Sequence, residues 1–175
     1  MGQGKSKLDG SSMRIDFEGG NRCFDGNSPI VGTIHVDASQ PIPAYGVSVK
    51  LELIDSSKQV DYGDKGQRYP HIWKRRVWER VVMIHKFDNS LLPLGQSSYP
   101  FSFEVPADMP QSLYFNERWA EFRVKLRYFF KASLVPVQTD LLNNEWGKCK
   151  LRDRQRVHLS PVRPIVHDPQ FNVPV

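Results

Sequence analysis

The chain is 175 residues long and carries 24 lysines and arginines against 19 aspartates and glutamates, a net charge of +5, with 39% of its residues hydrophobic. That is enough for one well-filled domain burying roughly 70% of its unfolded surface, and too little for two. No apolar run approaches the ~18 residues of a membrane span, and the modest basic surplus favours anionic surfaces without announcing nucleic acid.

Thirteen prolines and twelve glycines, spread along the chain, favour many short strands over long helices. Cys23 and Cys149 are isolated, and no secretory signal precedes the domain, so the expectation is a cytosolic protein with free thiols.

Residues 1–12, MGQGKSKLDGSS, are small, polar and glycine-rich, and are expected to form a mobile arm. Met1-Gly2-Gln3-Gly4-Lys5-Ser6 fits the N-myristoylation pattern, which needs an uncluttered glycine amine and a small hydroxyl residue at position six. Gly2 is the candidate lipidation site. Lys5 and Lys7 add the charge that helps a single acyl chain hold an anionic leaflet. The bland alternative is a chance match on a disordered start. Gly4-Lys5-Ser6 also mimics the end of a phosphate-binding loop, but it lacks the earlier glycine and preceding strand that such a loop needs.

From Met13 to Phe17, apolar residues alternate with Arg14 and Asp16, the pattern of a strand, and Gly19-Gly20-Asn21 follows as a turn. Ile30 to Val36 alternates again, with Ile30, Gly32, Ile34 and Val36 on one face. After the breaks at Pro41 and Pro43, Val47, Val49, Leu51 and Leu53 oppose Ser48, Lys50 and Glu52. Asp55 to Tyr69 is polar, contains Gly63 and Gly66, and is expected to be a long mobile loop.

Ile72 to Phe87 fits either a helical stripe or a strand, and its β-branched content favours the strand. Within it, Lys74, Arg75 and Arg76 interleave with Trp73 and Trp78 as a candidate contact for an anionic membrane or acidic peptide. The plain alternative is a solvated strand face with snorkelling arginines.

Leu94 to Ser98 looks like a turn. The strand after it, opened by Pro100 and closed by Pro106 and Pro110, points Phe101, Phe103 and Val105 one way and Ser102 and Glu104 the other, near a sheet margin. Arg123 to Ser133 is a further strand, with Val124, Leu126, Tyr128, Phe130 and Ala132 on its apolar face. A last strand runs from about Lys150 to Leu159, and the proline-rich stretch from Ser160 to Val175 is an extended tail. At least seven strands with one apolar face each make a two-sheet β-sandwich.

The five histidines form no ligand pair with cysteine, no serine sits in a nucleophile elbow, and no paired carboxylates flank a cleft. Neither a metal, a cofactor nor a catalytic residue is expected. Pro161-Val162-Arg163-Pro164 is a bare PxxP, too common to weigh.

The stretch LLPLGQSSYPFSFEVPADMPQSLYF, with its Leu-Gly approach, Tyr-Pro-Phe-x-Phe-x-hydrophobic-Pro core and Met-Pro-x-Ser exit, resembles the arrestin N-terminal domain. IVGTIHVDASQPIPAYGVSVKLELI resembles the same family's early hairpin. VKLRYFFKASL is closer to the arrestin-like subunit of the retromer sorting complex. The resemblance covers roughly residues 13–165, leaving an arm at 1–12 and a tail at 166–175.

It implies an all-β, arrestin-like (immunoglobulin-like) sandwich of two antiparallel sheets, acting as a non-catalytic adaptor. The implied partners are membrane receptor tails and sorting or ubiquitin-ligase components at the cytoplasmic face of an endosomal or plasma membrane, with no nucleic acid. The alternative is a structural subunit of a coat or of a cytoskeletal or pellicular assembly, without acyl anchoring. In visual and β-arrestins a buried arginine forms a polar core with acidic residues. Arg156 in RDRQRVHLSPV falls at that arginine, yet its acidic partners fall near Gly19 and Arg22, which favours a solvated arginine.

Overall fold

The computed structural model describes residues 10–26, 28–119, 121–137 and 151–160. The strands are β1 (Ser12–Phe17), β2 (Cys23–Asp25), β3 (Ile30–Ala38), β4 (Ile42–Pro43), β5 (Gly46–Tyr62), β6 (Arg68–Lys86), β7 (Leu91–Leu92), β8 (Gly95–Phe103), β9 (Leu113–Glu117), β10 (Phe122–Val135) and β11 (Arg152–Ser160). A small sheet runs in the order β1-β3-β8. A large one runs β2-β11-β10-β5-β6, with β9 also on β10, and β4 and β7 form a two-stranded ribbon. Every pairing is antiparallel except the three-residue join of β2 to β11. The chain is thus the all-β sandwich that its alternating pattern implies. The candidate acylation site at Gly2, with Lys5 and Lys7, lies outside the described residues, as does the tail beyond Ser160.

Alternation decides what goes inside. Met13, Ile15 and Phe17 of β1, Ile30, Ile34 and Val36 of β3, and Phe101 and Phe103 of β8 meet Val47, Val49, Leu51 and Leu53 of β5 and Tyr128, Phe130 and Ala132 of β10, all of them buried. Phe130 is the centre. Its ring stacks on Phe101 at 5.0 Å and meets Phe17 and Phe103 edge-on at 5.6 and 5.5 Å, so one side chain of the large sheet touches two strands of the small one. Gly32 makes room for this. A Cβ there would stand 2.9 Å from the Phe101 ring and 2.4 Å from the Asp16 carbonyl.

The sheets are also tied by polar side chains at β11. Asp153 and Gln155 occupy inward positions, buried at 3% and 8% exposure. The Ile15 amide donates to Asp153 Oδ2 at 2.9 Å, and Gln155 Nε2 donates to the Ile15 carbonyl at 2.6 Å and to Asp153 Oδ2 at 3.0 Å. Backbone groups of β1 that its own sheet leaves unpaired are thereby satisfied by side chains of the other sheet.

Three readings are corrected. The expected loop over Asp55–Tyr69 is a long hairpin, since β5 continues to Tyr62 and only Gly63–Gln67 turns, with Gly66 at φ +72°. The expected turn at Leu94–Ser98 is shorter, because β8 already pairs with β3 from Gly95. Leu113–Glu117 is a strand that the sequence did not suggest, whereas Ile72–Lys86 is strand as its β-branched content favours.

Replacing Asp153 by Ala should cost about 2–3 kcal/mol in denaturant unfolding, because the buried Ile15 amide loses its acceptor; a loss under ~0.5 kcal/mol would mean that the tie is dispensable. Tyr128 gives a pH test. Its buried hydroxyl donates to the Pro110 carbonyl at 2.6 Å, and burial pushes it up to about 12 from 10.0. A folded value above the unfolded one means that this stabilisation is complete below pH 10 and disappears as pH rises towards 12. Tyr128→Phe should start about 1 kcal/mol less stable and lack that alkaline component; an unchanged alkaline slope would rule the assignment out.

Candidate functional site

Strand length sets the exposed surface. At roughly 3.3 Å per residue, the 17-residue β5 and 19-residue β6 are about 55–60 Å long, whereas the 9-residue β3 and β8 are about 30 Å. The large sheet therefore outgrows its cover. A register shift between Leu53 and Ile54 places one extra residue, Val77, in β6 near this point. Beyond it β9, β10, β5 and β6 continue as a single layer, with Tyr69, Trp73 and Phe115 exposed towards the sandwich side and Tyr62, Ile72 and Tyr114 on the opposite face. Trp119, in the β9–β10 turn, is 97% exposed. Glu121 pins the two hairpin ends together through Tyr62 and Arg68, and those hydrogen bonds hold its carboxyl below the usual range.

The outer face of the large sheet, away from the small sheet, is cationic along its whole length. Because Phe130 and Ala132 point inward, Arg123, Lys125, Arg127 and Lys131 of β10 point outward. On β11, inward Asp153, Gln155, Val157 and Leu159 put Arg152, Arg154 and Arg156 on the same outer face. The register adds Lys50 and Lys58 from β5 and Arg68, Lys74 and Arg76 from β6. Opposing them are Glu52, Glu79 and, at the far end, Glu121. With a chain total of only +5, the rest of the protein is net acidic.

Glu52 holds this face together. It is 5% exposed and is shared by Arg154 at 2.5 Å, Arg76 at 3.5 Å and Lys50 at 3.8 Å. Lys50 and Arg76 also reach Glu79, whose carboxyl is lowered first by the Lys50 hydrogen bond. The remaining cations repel. Burial first, then Arg156, Arg123 and Arg154, push Arg127 below its ordinary value, and its Nε is buried without a hydrogen-bond partner. Lys125 is lowered by burial and then by Arg123, Arg127 and Arg156; Lys131 is lowered by burial and then chiefly by Lys50 and Arg152. Phe129, an outward aromatic ring in the middle of the face, is covered by the Arg154 guanidinium at 3.9 Å.

The Lys74-Arg75-Arg76 cluster is split by strand alternation. Arg75 lies on the sandwich side, paired with Asp55 at 3.1 Å; Arg76 is taken up by Glu52 and Glu79; Lys74 alone makes no ion pair among the described residues. Arg156 is exposed on the outer face and is not the buried arginine of a polar core. The buried polar group on that strand is the Asp153–Gln155 pair. Sequence reading missed the β10–β11 cations as a unit, though the parity set by Phe130 and Val157 carries them.

On the solvent face of the small sheet, His35 Nδ1 lies 3.0 Å from Ser98 Oγ and Nε2 lies 3.4 Å from Asp16 Oδ2, beside a depression of about 590 Å3. The line of residues resembles a hydrolytic triad. However, His35 and Asp16 are over 40% exposed, Arg14 competes for Asp16 at 2.5 Å, and β3 spends its amides on both neighbouring strands, so no oxyanion donors converge. It is a cross-strand polar latch. Among the described residues no three His, Cys, Asp or Glu side chains gather as metal ligands, and no helix is long and apolar enough to cross a membrane.

No protein-family model matches the chain, and neither does any curated protein. Among solved structures it is similar to the crystal structure of Spo0M, a sporulation control protein from Bacillus subtilis, at 17% identity and a TM-score of 0.47, over 87% of this chain and 50% of that one. The chain thus spans about half the length of that protein, and so distant a likeness carries no inference about activity or partners.

Arg127→Met keeps the apolar stem and removes a repelled, partly buried charge, so it should raise the melting temperature by ~2 °C, the effect of a ~0.5–1 kcal/mol gain in a domain of this size. Raising NaCl to ~0.5 M should stabilise the native protein through screening, and this variant less. A variant that melts lower would show that the charge is compensated.

Proposed function

We propose that this chain is a non-catalytic, arrestin-like adaptor domain that binds partner proteins at a membrane surface in protein trafficking or receptor sorting. The observation that carries the proposal is the uncovered end of the large sheet, where a single layer presents large apolar side chains on both faces. A domain that needed only to fold would not leave Trp73 53% and Trp119 97% exposed. Exposed aromatics of this kind are the anchors that dominate protein interfaces. The sequence resemblance supplies the adaptor class. Gly2, with Lys5 and Lys7, supplies a membrane anchor if acylated, to which receptor tails and sorting or ubiquitin-ligase components would be recruited.

A structural role in a coat or a cytoskeletal or pellicular layer is the second reading, favoured by the same two-faced surface. Salt and detergent extraction separates the two, because an adaptor dissolves and a fixed layer resists.

The test is purification of the native protein with its partners from its own cells, beside Gly2→Ala and Trp73→Ser/Trp119→Ser versions. The tryptophan variant should lose partner recovery at least ~10-fold, the scale of removing interface anchors, at unchanged melting temperature. Gly2→Ala should lose the partners that reside in membranes. If both versions recover the full native set, the adaptor reading through this surface is wrong.

A further inference from the structure

The outer face of the large sheet carries a second kind of surface, a cation array that runs the length of the sheet and borders Tyr62, Ile72 and Tyr114 at its aromatic end. We propose that this face is a docking surface for the anionic headgroups of a lipid bilayer, so that the domain sits on the membrane by the back of its large sheet. The proposal rests on the membrane-adaptor reading and adds to it the surface, its orientation and the class of lipid.

The arrangement of the charge selects the occupant. Cations come from four adjacent strands, about 4.8 Å apart across the sheet and about 6.7 Å apart along each strand, so they form a two-dimensional array. An extended peptide or a single nucleic-acid strand would follow a line and leave most of the array unmatched. A bilayer surface meets all of it at once, each cation within a Debye length of the headgroups. Single-stranded nucleic acid would also need a row of open aromatic faces for its bases, whereas Phe129 is capped by Arg154 at 3.9 Å and Lys125 stands 5.0 Å over Tyr114, which leaves Tyr62 at the far end of the face.

The face is held ready at a cost to the fold. Burial and mutual repulsion press on Lys125, Arg127 and Lys131, and a layer of phosphates or carboxylates would relieve exactly those charges. Arg152, Arg156 and Lys74 are exposed and form no ion pair among the described residues. They are free to meet headgroups, whereas Arg76 and Arg154 are engaged with Glu52.

Two neighbouring residues provide the control. Lys74 and Arg75 are adjacent in sequence, but Lys74 is on the outer face and Arg75 on the other. Lys74→Glu and Arg75→Glu change the net charge equally. The experiment is flotation of the full chain with phosphatidylserine-containing vesicles and with phosphatidylcholine vesicles, in low and ~0.5 M salt, with melting curves for every variant.

The native protein should float only with the anionic vesicles, and high salt should release it. Arg152→Glu/Arg156→Glu should lose binding at least ~10-fold and Lys74→Glu severalfold, while Arg75→Glu stays within ~2-fold. Equal losses in Lys74→Glu and Arg75→Glu, or none in either the lysine or the double-arginine variant, would overturn the outer face and leave membrane association standing. So would tighter binding to an oligonucleotide than to vesicles. A native protein that fails to float yet remains in the membrane fraction of cells also sinks the face alone. Failure to float together with complete absence from cell membranes removes both the face and the membrane-adaptor reading.

Discussion

Asp153 and Gln155 fix the register of β11, and much of the molecule follows from that register. Their side chains complete the backbone hydrogen bonds of Ile15 in the opposite sheet, so they must point inward. Strand side chains alternate, and Arg152, Arg154 and Arg156 are therefore forced outward. A slip of one residue would drive three guanidinium groups into the aromatic core and strip the Ile15 backbone of its partners. Two buried polar residues, which cost stability when unpaired, here choose between two incompatible faces for a whole strand.

The same strand shows how the protein tolerates a cationic face beside an apolar core. Glu52 sits nearly buried beneath Lys50, Arg76 and Arg154 and partly neutralises all three. Its value is less that of a pairwise bridge than that of a counterion fixed in place, since partly exposed ion pairs contribute little individually. Away from it no carboxylate among the described residues pairs with Arg127, whose Nε has no hydrogen-bond partner. Compensation is thus concentrated where β5, β6 and β11 converge, and the charge towards the β9–β10 side is left open.

The half of the molecule that is a sandwich was legible from alternation alone. Met13-Ile15-Phe17, Val47-Val49-Leu51-Leu53 and Tyr128-Phe130-Ala132 each point into the core, with polar or charged side chains such as Arg14, Ser48, Glu52 and Lys131 between them, which imprints a period of two on the sequence. The half that is a single layer was not. Between Asp55 and Tyr69 Val60 alone is buried and the other side chains are partly or fully exposed, so no apolar period exists to be seen, and polar residues with two glycines imitate a loop. The site failed for a related reason. Lys74, Arg75 and Arg76 look like one cluster in sequence, but a strand assigns neighbours to opposite faces, and the residues that do cluster are spread over four strands far apart in the chain. Parity from Val157 and Leu159 already places Asp153 and Gln155 inside; what sequence lacked was a reason for polar groups there, and that reason is the Ile15 backbone.

The tie between β1 and β11 also governs when the fold can form. Ile15 and Asp153 are 138 residues apart, so β1 waits for β11 before its edge is complete. Closing a loop of that size is entropically slow, and contacts so distant in sequence retard folding. During synthesis, β1 leaves the ribosome long before β11 exists, and Met13, Ile15 and Phe17 gain their cover from β3, β5, β8 and β10 as these arrive. Completion of the sandwich is thereby coupled to the synthesis of β11. A truncated product ending before Asp153 would expose the β10 edge and lose Val157 and Leu159 from the core, the kind of species that chaperones and proteases remove.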